Sequence, residues 1–235
     1  MSLSASNAFQ RHFDQGDGYA EKGLFDKAIV EYKQALSVFP HPEDPDFQLT
    51  LYKLALALQS NQEPEKALAT LQQLLKLTPE DAMVYDVLGG LLADKGELWK
   101  AVSSYQQAIL LDPEYVDAYH NLAIVLKELE QYEEAAKAHQ QALKLAPDEP
   151  DVHYSYGNIL RRLSQFDKAI EEYQIAINLD PEYADSYNNL ALTFNDLCRY
   201  VEAGDACRRG LDFAPGDPDL QDNLQDALEG QTKSQ

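Results

Sequence analysis

Residues 150–183 read PDVHYSYGNILRRLSQFDKAIEEYQIAINLDPEY, and the same order of small, aromatic and proline residues returns along most of the chain. The clearest mark is a proline near the end of each unit. One proline is followed by another after 39 residues and then by four more at intervals of 34: Pro40, Pro79, Pro113, Pro147, Pro181 and Pro215. Such a period is the signature of a repeat architecture. It divides the chain into six repeats, residues 9–42, 48–81, 82–115, 116–149, 150–183 and 184–217.

Small residues fill two positions of every repeat. The eighth position reads Gly16, Ala55, Gly89, Ala123, Gly157 and Ala191, and the twentieth reads Ala28, Ala67, Ala101, Ala135, Ala169 and Ala203. A larger side chain there would force two packed helices apart. Each repeat is therefore predicted to form two helices, with a break between them, as at Gly23 and Gly96, and a proline after the second helix.

This pattern resembles the tetratricopeptide repeat family, whose unit carries Leu and Gly or Ala, then aromatic residues, alanines and a late proline at fixed positions. The third repeat shows it through Tyr85, Leu88, Gly89, Leu98, Ala101, Tyr105, Ala108 and Pro113. The resemblance implies an all-α fold, a right-handed superhelical solenoid of six helix-turn-helix repeats over residues 1–235 as a single domain. A stripe of Leu220, Leu224 and Leu228 predicts a C-terminal capping helix over residues 218–229, followed by a polar tail at 230–235.

Two departures from the pattern carry expectations of their own. The segment His41–Phe47 contains a five-residue insertion, which predicts a bend or a lengthened first turn of the next helix. Repeat 6 has Cys207 and Gly210 where an aromatic residue and alanine are usual. We therefore expect looser packing in that repeat.

Composition and net charge limit the classes of partner that the protein is expected to bind. The chain of 235 residues is 45% hydrophobic, and its 40 acidic against 19 basic residues give a formal charge of −21, which repels polyphosphates and anionic lipid surfaces. We therefore expect neither nucleic acid binding nor membrane insertion. Two cysteines and a start, Met1–Ala8, without a secretory signal predict a cytoplasmic protein.

The sequence shows no phosphate-binding loop, nucleophile elbow or pair of histidines at metal spacing on one helix. His120 and His153 fall at neighbouring positions of successive repeats, but packed side chains explain them better than a metal site. Cys207 at a core position and Cys198 in a turn are expected to be inert thiols. We therefore predict no catalytic residue, no metal, no cofactor and no enzymatic activity.

The resemblance implies a ligand surface on the concave face, which the first helix of each repeat lines. Its N-terminal half is predicted to be apolar, through Tyr52, Leu56, Met83 and Val87, and its C-terminal half polar, through Asn121, Lys127, Tyr154, Asn158, Arg161, Arg162, Asn188 and Asn189. Two alternatives remain open at this stage. The apolar side chains could pack within the superhelix, and the cations could only neutralise Glu128 and Asp196.

Lys127, Arg161 and Arg162 reverse the sign of charge locally, so an acidic or C-terminal carboxylate group of a partner peptide is expected there. No three consecutive repeats match the carboxylate-clamp type of the family. Trp99 stands where most other repeats carry an acidic residue, and it is either an outer contact or packed along a neighbouring helix.

These observations favour a protein–protein interaction scaffold or adaptor, such as an assembly factor, that binds an extended peptide on its concave face. A homo-oligomeric structural scaffold, which requires self-association, and a non-catalytic regulatory subunit of an enzyme complex are the alternatives. The mass of the protein in solution separates the adaptor from the homo-oligomeric scaffold. A co-purifying catalytic subunit would identify the regulatory subunit.

Overall fold

The structure, a computed structural model, describes residues 3–233, with side chains from residue 6 onward. Every regular element in that range is an α-helix, which confirms the all-α prediction. None of these helices combines the length and the apolar character that crossing a bilayer requires. The described range holds α1 (Leu3–Ala20), α2 (Phe25–Val38), α3 (Pro45–Ser60), α4 (Pro64–Leu77), α5 (Ala82–Asp94), α6 (Leu98–Leu111), α7 (Val116–Glu128), α8 (Tyr132–Leu145), α9 (Pro150–Arg162), α10 (Phe166–Leu179), α11 (Ala184–Asp196), α12 (Tyr200–Phe213) and α13 (Pro218–Lys233).

The protein forms two compact units, which meet in sequence inside α7, between Ala118 and Tyr119. In the N-terminal unit each helix from α1 to α6 packs against the next. In the C-terminal unit α8 to α13 do the same, and α13 also contacts α11, as a capping helix should. The single domain over residues 1–235 and the six repeat boundaries stay predictions.

The small eighth position makes room for the residue at the twenty-fourth position of the same repeat. In three repeats a glycine lies under a tyrosine ring, and a Cβ added to the glycine would lie 2.6 Å from a ring carbon: Gly16 under Tyr32, Gly89 under Tyr105 and Gly157 under Tyr173. The other three repeats carry alanine at the eighth position and a residue smaller than tyrosine at the twenty-fourth: Leu71, His139 and Cys207. The two positions therefore share a fixed space.

The turn inside each repeat contains one residue in the left-handed backbone region, at the fifteenth position. Its φ lies between 57° and 74° in all six repeats: Gly23, Gln62, Gly96, Glu130, Ser164 and Cys198. The following amide donates to the carbonyl five residues earlier, as Glu97 N does to Leu92 O at 2.8 Å. This helix-ending motif favours glycine, so the sequence marked the turn only at Gly23 and Gly96.

Helix ends differ from the sequence prediction in the first and last helices, whereas the insertion has one of its two predicted effects. The first helix begins at Leu3, six residues before the predicted start of repeat 1. The insertion lengthens α3, which begins at Pro45 after Asp44 accepts a hydrogen bond from the Asp46 amide. The last helix runs through Lys233 rather than ending at residue 229, while residues 234 and 235 lie outside the described range.

Close packing explains the longer α13. A Cβ at Gly230 would lie 2.4 Å from the ring of Tyr200, so the glycine lets the helix lie against that ring. The side-chain amide of Gln231 also donates to the Tyr200 carbonyl at 2.9 Å. These contacts hold the part of the predicted tail up to Lys233 in the helix.

The expectation of looser packing in repeat 6 is wrong. Cys207 is fully buried. A Cβ at Gly210 would lie 2.8 Å from Tyr187 Cβ and 2.9 Å from Leu220 Cδ1. Glycine therefore replaces alanine here because Tyr187 and the capping residue Leu220 fill the space.

His139 is a fully buried polar residue on α8. Its ring centroid lies 5.2 Å from that of His120 and 6.2 Å from that of Tyr156, and neither ring nitrogen has a hydrogen-bond partner within the described part of the protein. Burial, with a smaller contribution from His120 and Lys127, lowers the pKa of His139 to about 3. The folded protein therefore holds this ring neutral.

Adjacent glycines in α5 give a matched pair of substitutions. Gly89→Ala should lower the free energy of unfolding by about 1–3 kcal/mol through overpacking against Tyr105. Gly90→Ala should leave it unchanged or raise it by up to ~1 kcal/mol, because the nearest atom, Tyr105 Oη, would be 3.7 Å away and alanine favours the helix. Urea unfolding of both variants tests this.

Adding Tyr105→Leu to Gly89→Ala reproduces the pair Ala55 and Leu71 of repeat 2. The double variant should be more stable than the sum of the two single changes predicts. Equal effects of Gly89→Ala and Gly90→Ala, or strict additivity in the double variant, would contradict the shared-space interpretation.

His139→Leu places the residue of the corresponding position, Leu71, in repeat 4. A histidine with an ordinary pKa of 6.5 in the unfolded state and about 3 in the fold contributes stability that is complete above pH 6.5 and is lost as the pH falls toward 3. The slope is about 1.4 kcal/mol per pH unit. Between pH 7 and pH 5 the native protein should therefore lose about 2 kcal/mol more stability than His139→Leu, measured by urea unfolding. Equal losses would show that His139 is protonated in the fold.

Candidate functional site

Five of the predicted polar residues line one pocket of about 410 Å³ in the C-terminal unit: Lys127, Asn158, Arg161, Arg162 and Asn189. We call it the C-terminal pocket. The residues come from α7, α9 and α11, the first helices of three successive repeats. Glu128, Glu130 and Tyr132 complete the lining.

Hydrogen bonds fix the two asparagines of this pocket. Asn158 Oδ1 accepts from Tyr173 Oη at 2.8 Å and from Asn189 Nδ2 at 2.8 Å. Asn189 Nδ2 uses its second hydrogen to donate to Tyr154 Oη at 3.0 Å. Among the described residues, Asn158 Nδ2 and Asn189 Oδ1 have no hydrogen-bond partner. One donor and one acceptor are thus left for a ligand.

The same arrangement occurs in the N-terminal unit with charged groups. Asp17 accepts from Tyr32 Oη at 2.6 Å and from Lys53 Nζ at 2.7 Å. In the repeat frame Asp17 corresponds to Asn158, Tyr32 to Tyr173 and Lys53 to Asn189. We call each set of three residues a polar cluster. A tyrosine of the second helix and two polar residues of successive first helices therefore form a recurring element.

The three cations of the C-terminal pocket differ in their partners. Arg161 Nη2 lies 2.6 Å from Asp196 Oδ2, so the neutralising role left open above applies to this residue. Arg162 donates to Tyr132 Oη at 3.1 Å from Nη2 and 3.3 Å from Nε. Within the described residues, neither Lys127 nor Arg162 lies at ion-pair distance from a carboxylate. These two charges remain available for a ligand.

Charges around the pocket are nearly balanced. Two carboxylates, Glu128 and Glu130, line it, and Asp196 lies in an adjoining pocket with Arg161 and Arg162. The long-range field of a balanced site is small, so recognition depends on direct contacts. Such a site suits a single carboxylate better than a run of acidic residues.

Other predicted polar residues lie outside the pocket lining. Asn188 Oδ1 accepts from Asn223 Nδ2 at 2.5 Å, which joins α11 to the capping helix. Tyr154 Oη accepts the hydrogen bond from Asn189 Nδ2, and the Tyr154 ring centroid lies 5.1 Å from that of Tyr183. Asn121 lies on α7 but is not among the residues that line the pocket.

The four predicted apolar residues do not line one common pocket. Tyr52 and Met83 line an apolar pocket of about 230 Å³ between the start of α3 and the start of α5. Leu56 lines another pocket, of about 210 Å³, beside Asp17. Val87 packs against the hydrophobic core.

His120, His153 and Cys207 are placed as structural residues, whereas Cys198 is exposed. His153 Nδ1 lies 2.6 Å from Glu172 Oε2 and its Nε2 lies 2.8 Å from the Pro147 carbonyl, whereas His120 packs on His139. The described residues contain no group of three His, Cys, Asp or Glu side chains placed to hold a metal ion. Burial raises the pKa of the Cys207 thiol to about 11, as an unreactive thiol requires.

Two residues, Trp99 and Tyr132, bear on the predicted contact surfaces. Trp99 is 61% exposed, so it points outward and stays a candidate contact. Tyr132, a pocket residue that the sequence reasoning missed, lies at the start of α8 and contacts Arg162 of the next repeat. The signal for it was the repeat frame, which places position 13 of one repeat beside position 17 of the preceding one.

Comparison with known proteins matches the chain to a family of repeat proteins. Sequence profiles described as TPR repeat match residues 89–130 and 157–197, and profiles described as tetratricopeptide repeat match residues 116–149 and 19–91. Together these spans cover well over half of the sequence. A search of curated proteins gives no match.

Solved structures share the fold. PilF of Pseudomonas aeruginosa superposes with a TM-score of 0.75 at 20% identity, covering 93% of this chain and 97% of that one. MamA gives 0.62 at 26% identity over 76% and 95% of the two proteins. YrrB, described as a TPR protein with an unusual peptide-binding site, gives 0.66 at 23% identity over 86% and 97%. From the profile matches and the repeated helical hairpins, the chain belongs to the tetratricopeptide repeat family.

Proposed function

We propose that this protein is a non-enzymatic interaction scaffold, and that its C-terminal pocket binds a carboxylate of an extended partner segment. The observation that carries the proposal is the combination of Lys127 and Arg162, which lack a carboxylate partner among the described residues, with two oriented asparagines in the same pocket. The family fold is generally a protein-interaction module, and a solved relative is described as having a peptide-binding site.

The chemistry of the pocket suggests how the segment is held. A carboxylate between Lys127 and Arg162 gains charge-assisted hydrogen bonds, which are stronger than neutral ones. Asn158 Nδ2 can donate to a backbone carbonyl and Asn189 Oδ1 can accept from a backbone amide. Arg161 stays paired with Asp196 and shapes the wall. The C-terminal carboxylate of a peptide, or one acidic residue within it, fits this nearly balanced site.

The remaining predicted residues are proposed as further contacts in their own units. Asn188 would contribute through its amide nitrogen, since its oxygen accepts from Asn223. The apolar side chains would contact apolar groups of a partner. The set comprises Asn121, Tyr154 and Asn188 in the C-terminal unit and Tyr52, Leu56, Met83 and Val87 in the N-terminal unit.

The net charge and the free thiols support a class of partner and a cellular compartment. A charge of −21 argues for a protein or peptide partner rather than nucleic acid or an anionic membrane. Both cysteines, Cys198 and Cys207, are free, which suits a cytoplasmic location. An assembly factor is one role that this setting supports.

Selection from a library of random peptides displayed with free C-termini tests the proposal. A selected peptide without Asp or Glu should bind at least tenfold more tightly as the free acid than as the C-terminal amide. Lys127→Ala with Arg162→Ala should weaken binding by 10- to 100-fold, or about 1.4–2.8 kcal/mol, without changing the helical circular dichroism. Fluorescence polarisation measures both effects.

The matched control is Lys137→Ala with Lys168→Ala, which removes the same charge from exposed positions of the second helices α8 and α10. It should leave the affinity within about twofold. Failure to select any peptide, or equal losses in the two double variants, would overturn the proposal. A loss seen only on replacing Trp99 would place the partner on the outer surface, and a dimeric mass or a co-purifying catalytic subunit would favour the alternative functions.

A further inference from the structure

A second pocket, in the N-terminal unit, is built around the other polar cluster. Its volume is about 210 Å³, and its lining residues are Asp17, Ala20, Glu21, Phe25, Tyr32, Lys53, Leu56, Ala57 and Ser60. We call it the N-terminal pocket. Small-molecule sites usually exceed roughly 300 Å³. This pocket therefore suits a single long side chain.

The N-terminal pocket carries a net negative charge. Lys53 Nζ lies 2.7 Å from Asp17 Oδ2 and 5.2 Å from the ring centroid of Phe13, so these contacts occupy its charge. Glu21 also lines the pocket, is exposed, and has no ion-pair partner among the described side chains. With Asp17 and Lys53 cancelling each other, Glu21 leaves one net negative charge.

The apolar lining complements that charge. Ala20, Phe25 and Leu56 are half-buried and Ala57 is buried, whereas Glu21 and Ser60 are exposed and so lie at the opening. Arginine and lysine bury an aliphatic stem along apolar surface and keep the charged head near water. The head of such a side chain would lie at Glu21 and the Ser60 hydroxyl.

Comparison of the two units sharpens the assignment. Positions 12 and 13 of the repeat are Ala20 and Glu21 beside the N-terminal pocket, but Arg161 and Arg162 beside the C-terminal pocket. The polar clusters behind these positions correspond residue by residue. Position 13 therefore carries a negative charge beside the N-terminal pocket and a positive charge beside the C-terminal pocket.

We propose that the N-terminal pocket is a subsite for a cationic side chain, arginine or lysine, of a partner protein segment. This inference rests on the proposed peptide-binding function and extends it to a second chemistry in a separate unit. A partner would then carry at least one basic residue for the N-terminal pocket. The carboxylate for the C-terminal pocket could belong to the same partner or to another one.

The test uses end-blocked peptides, which have no terminal carboxylate and so cannot use the C-terminal pocket. The probe is acetyl-Gly-Leu-Arg-Leu-Gly-amide, with acetyl-Gly-Leu-Gln-Leu-Gly-amide as its uncharged control. In a titration followed by ¹H–¹⁵N NMR of the full-length protein, the arginine peptide should shift the amides of Phe25, Ala57 and Ser60 to saturation. The glutamine peptide should bind at least fivefold more weakly.

A matched pair of variants separates a built subsite from general attraction to an acidic protein. Glu21→Gln should weaken binding of the arginine peptide at least fivefold, whereas Glu114→Gln, an exposed acid of the same unit outside the pocket, should change it less than twofold. The fold of Glu21→Gln is checked by its unchanged NMR spectrum away from the pocket.

Three results would overturn the assignment. They are equal shifts with the glutamine peptide, shifts that spread over the acidic surface without saturation, and equal effects of Glu21→Gln and Glu114→Gln. Each leaves the carboxylate proposal standing, because that proposal is judged by free-acid peptides and by Lys127 and Arg162. If the free-acid peptides fail to bind but the arginine peptide binds saturably, the N-terminal pocket would instead remain as the recognition site.

Discussion

The contact between the eighth and twenty-fourth residues of a repeat governs both packing and polar chemistry. Gly157 lets the ring of Tyr173 lie against the backbone of α9, with no Cβ between them. The ring then extends far enough for its hydroxyl to reach Asn158, the next residue along. Gly16, Tyr32 and Asp17 repeat this geometry in the N-terminal unit. A steric constraint in the core thus delivers an oriented polar group at the surface of each unit.

The same constraint explains why the polar clusters occur where they do. Where alanine takes the eighth position, the twenty-fourth residue is Leu71, His139 or Cys207, none of which carries a phenol hydroxyl. Repeat 3 has the glycine and the tyrosine, but its ninth residue is Gly90, which offers no side chain. Only repeats 1 and 5 combine all the requirements, and they lie beside the N-terminal pocket and the C-terminal pocket.

Sequence periodicity anticipated the fold and much of the C-terminal pocket, because a 34-residue repeat fixes which positions become neighbours. Position 12 of one repeat pairs with position 13 of the next in both Gln59–Asp94 and Arg161–Asp196. That register makes the pairing of Arg161 readable in retrospect. It does not show that Glu130 adopts a left-handed turn, since most such turns carry glycine. The register places Tyr132 near Arg162 but does not show that the Tyr132 side chain turns toward it, because side-chain direction at a helix start depends on the local backbone.

Specificity in this protein can change without disturbing its core. The packing constraint resides at positions 8 and 24, whereas the sign of charge beside each polar cluster resides at position 13. That position reads Glu21, Ser60, Asp94, Glu128, Arg162 and Asp196, so repeat 5 alone places a cation there. Beyond about 8 Å the overall negative field is largely screened at physiological salt, so this single residue can outweigh distant acids at contact range. A repeat protein with net charge −21 can therefore place a cation at position 13 of one repeat while four of its other five repeats carry an acidic residue there.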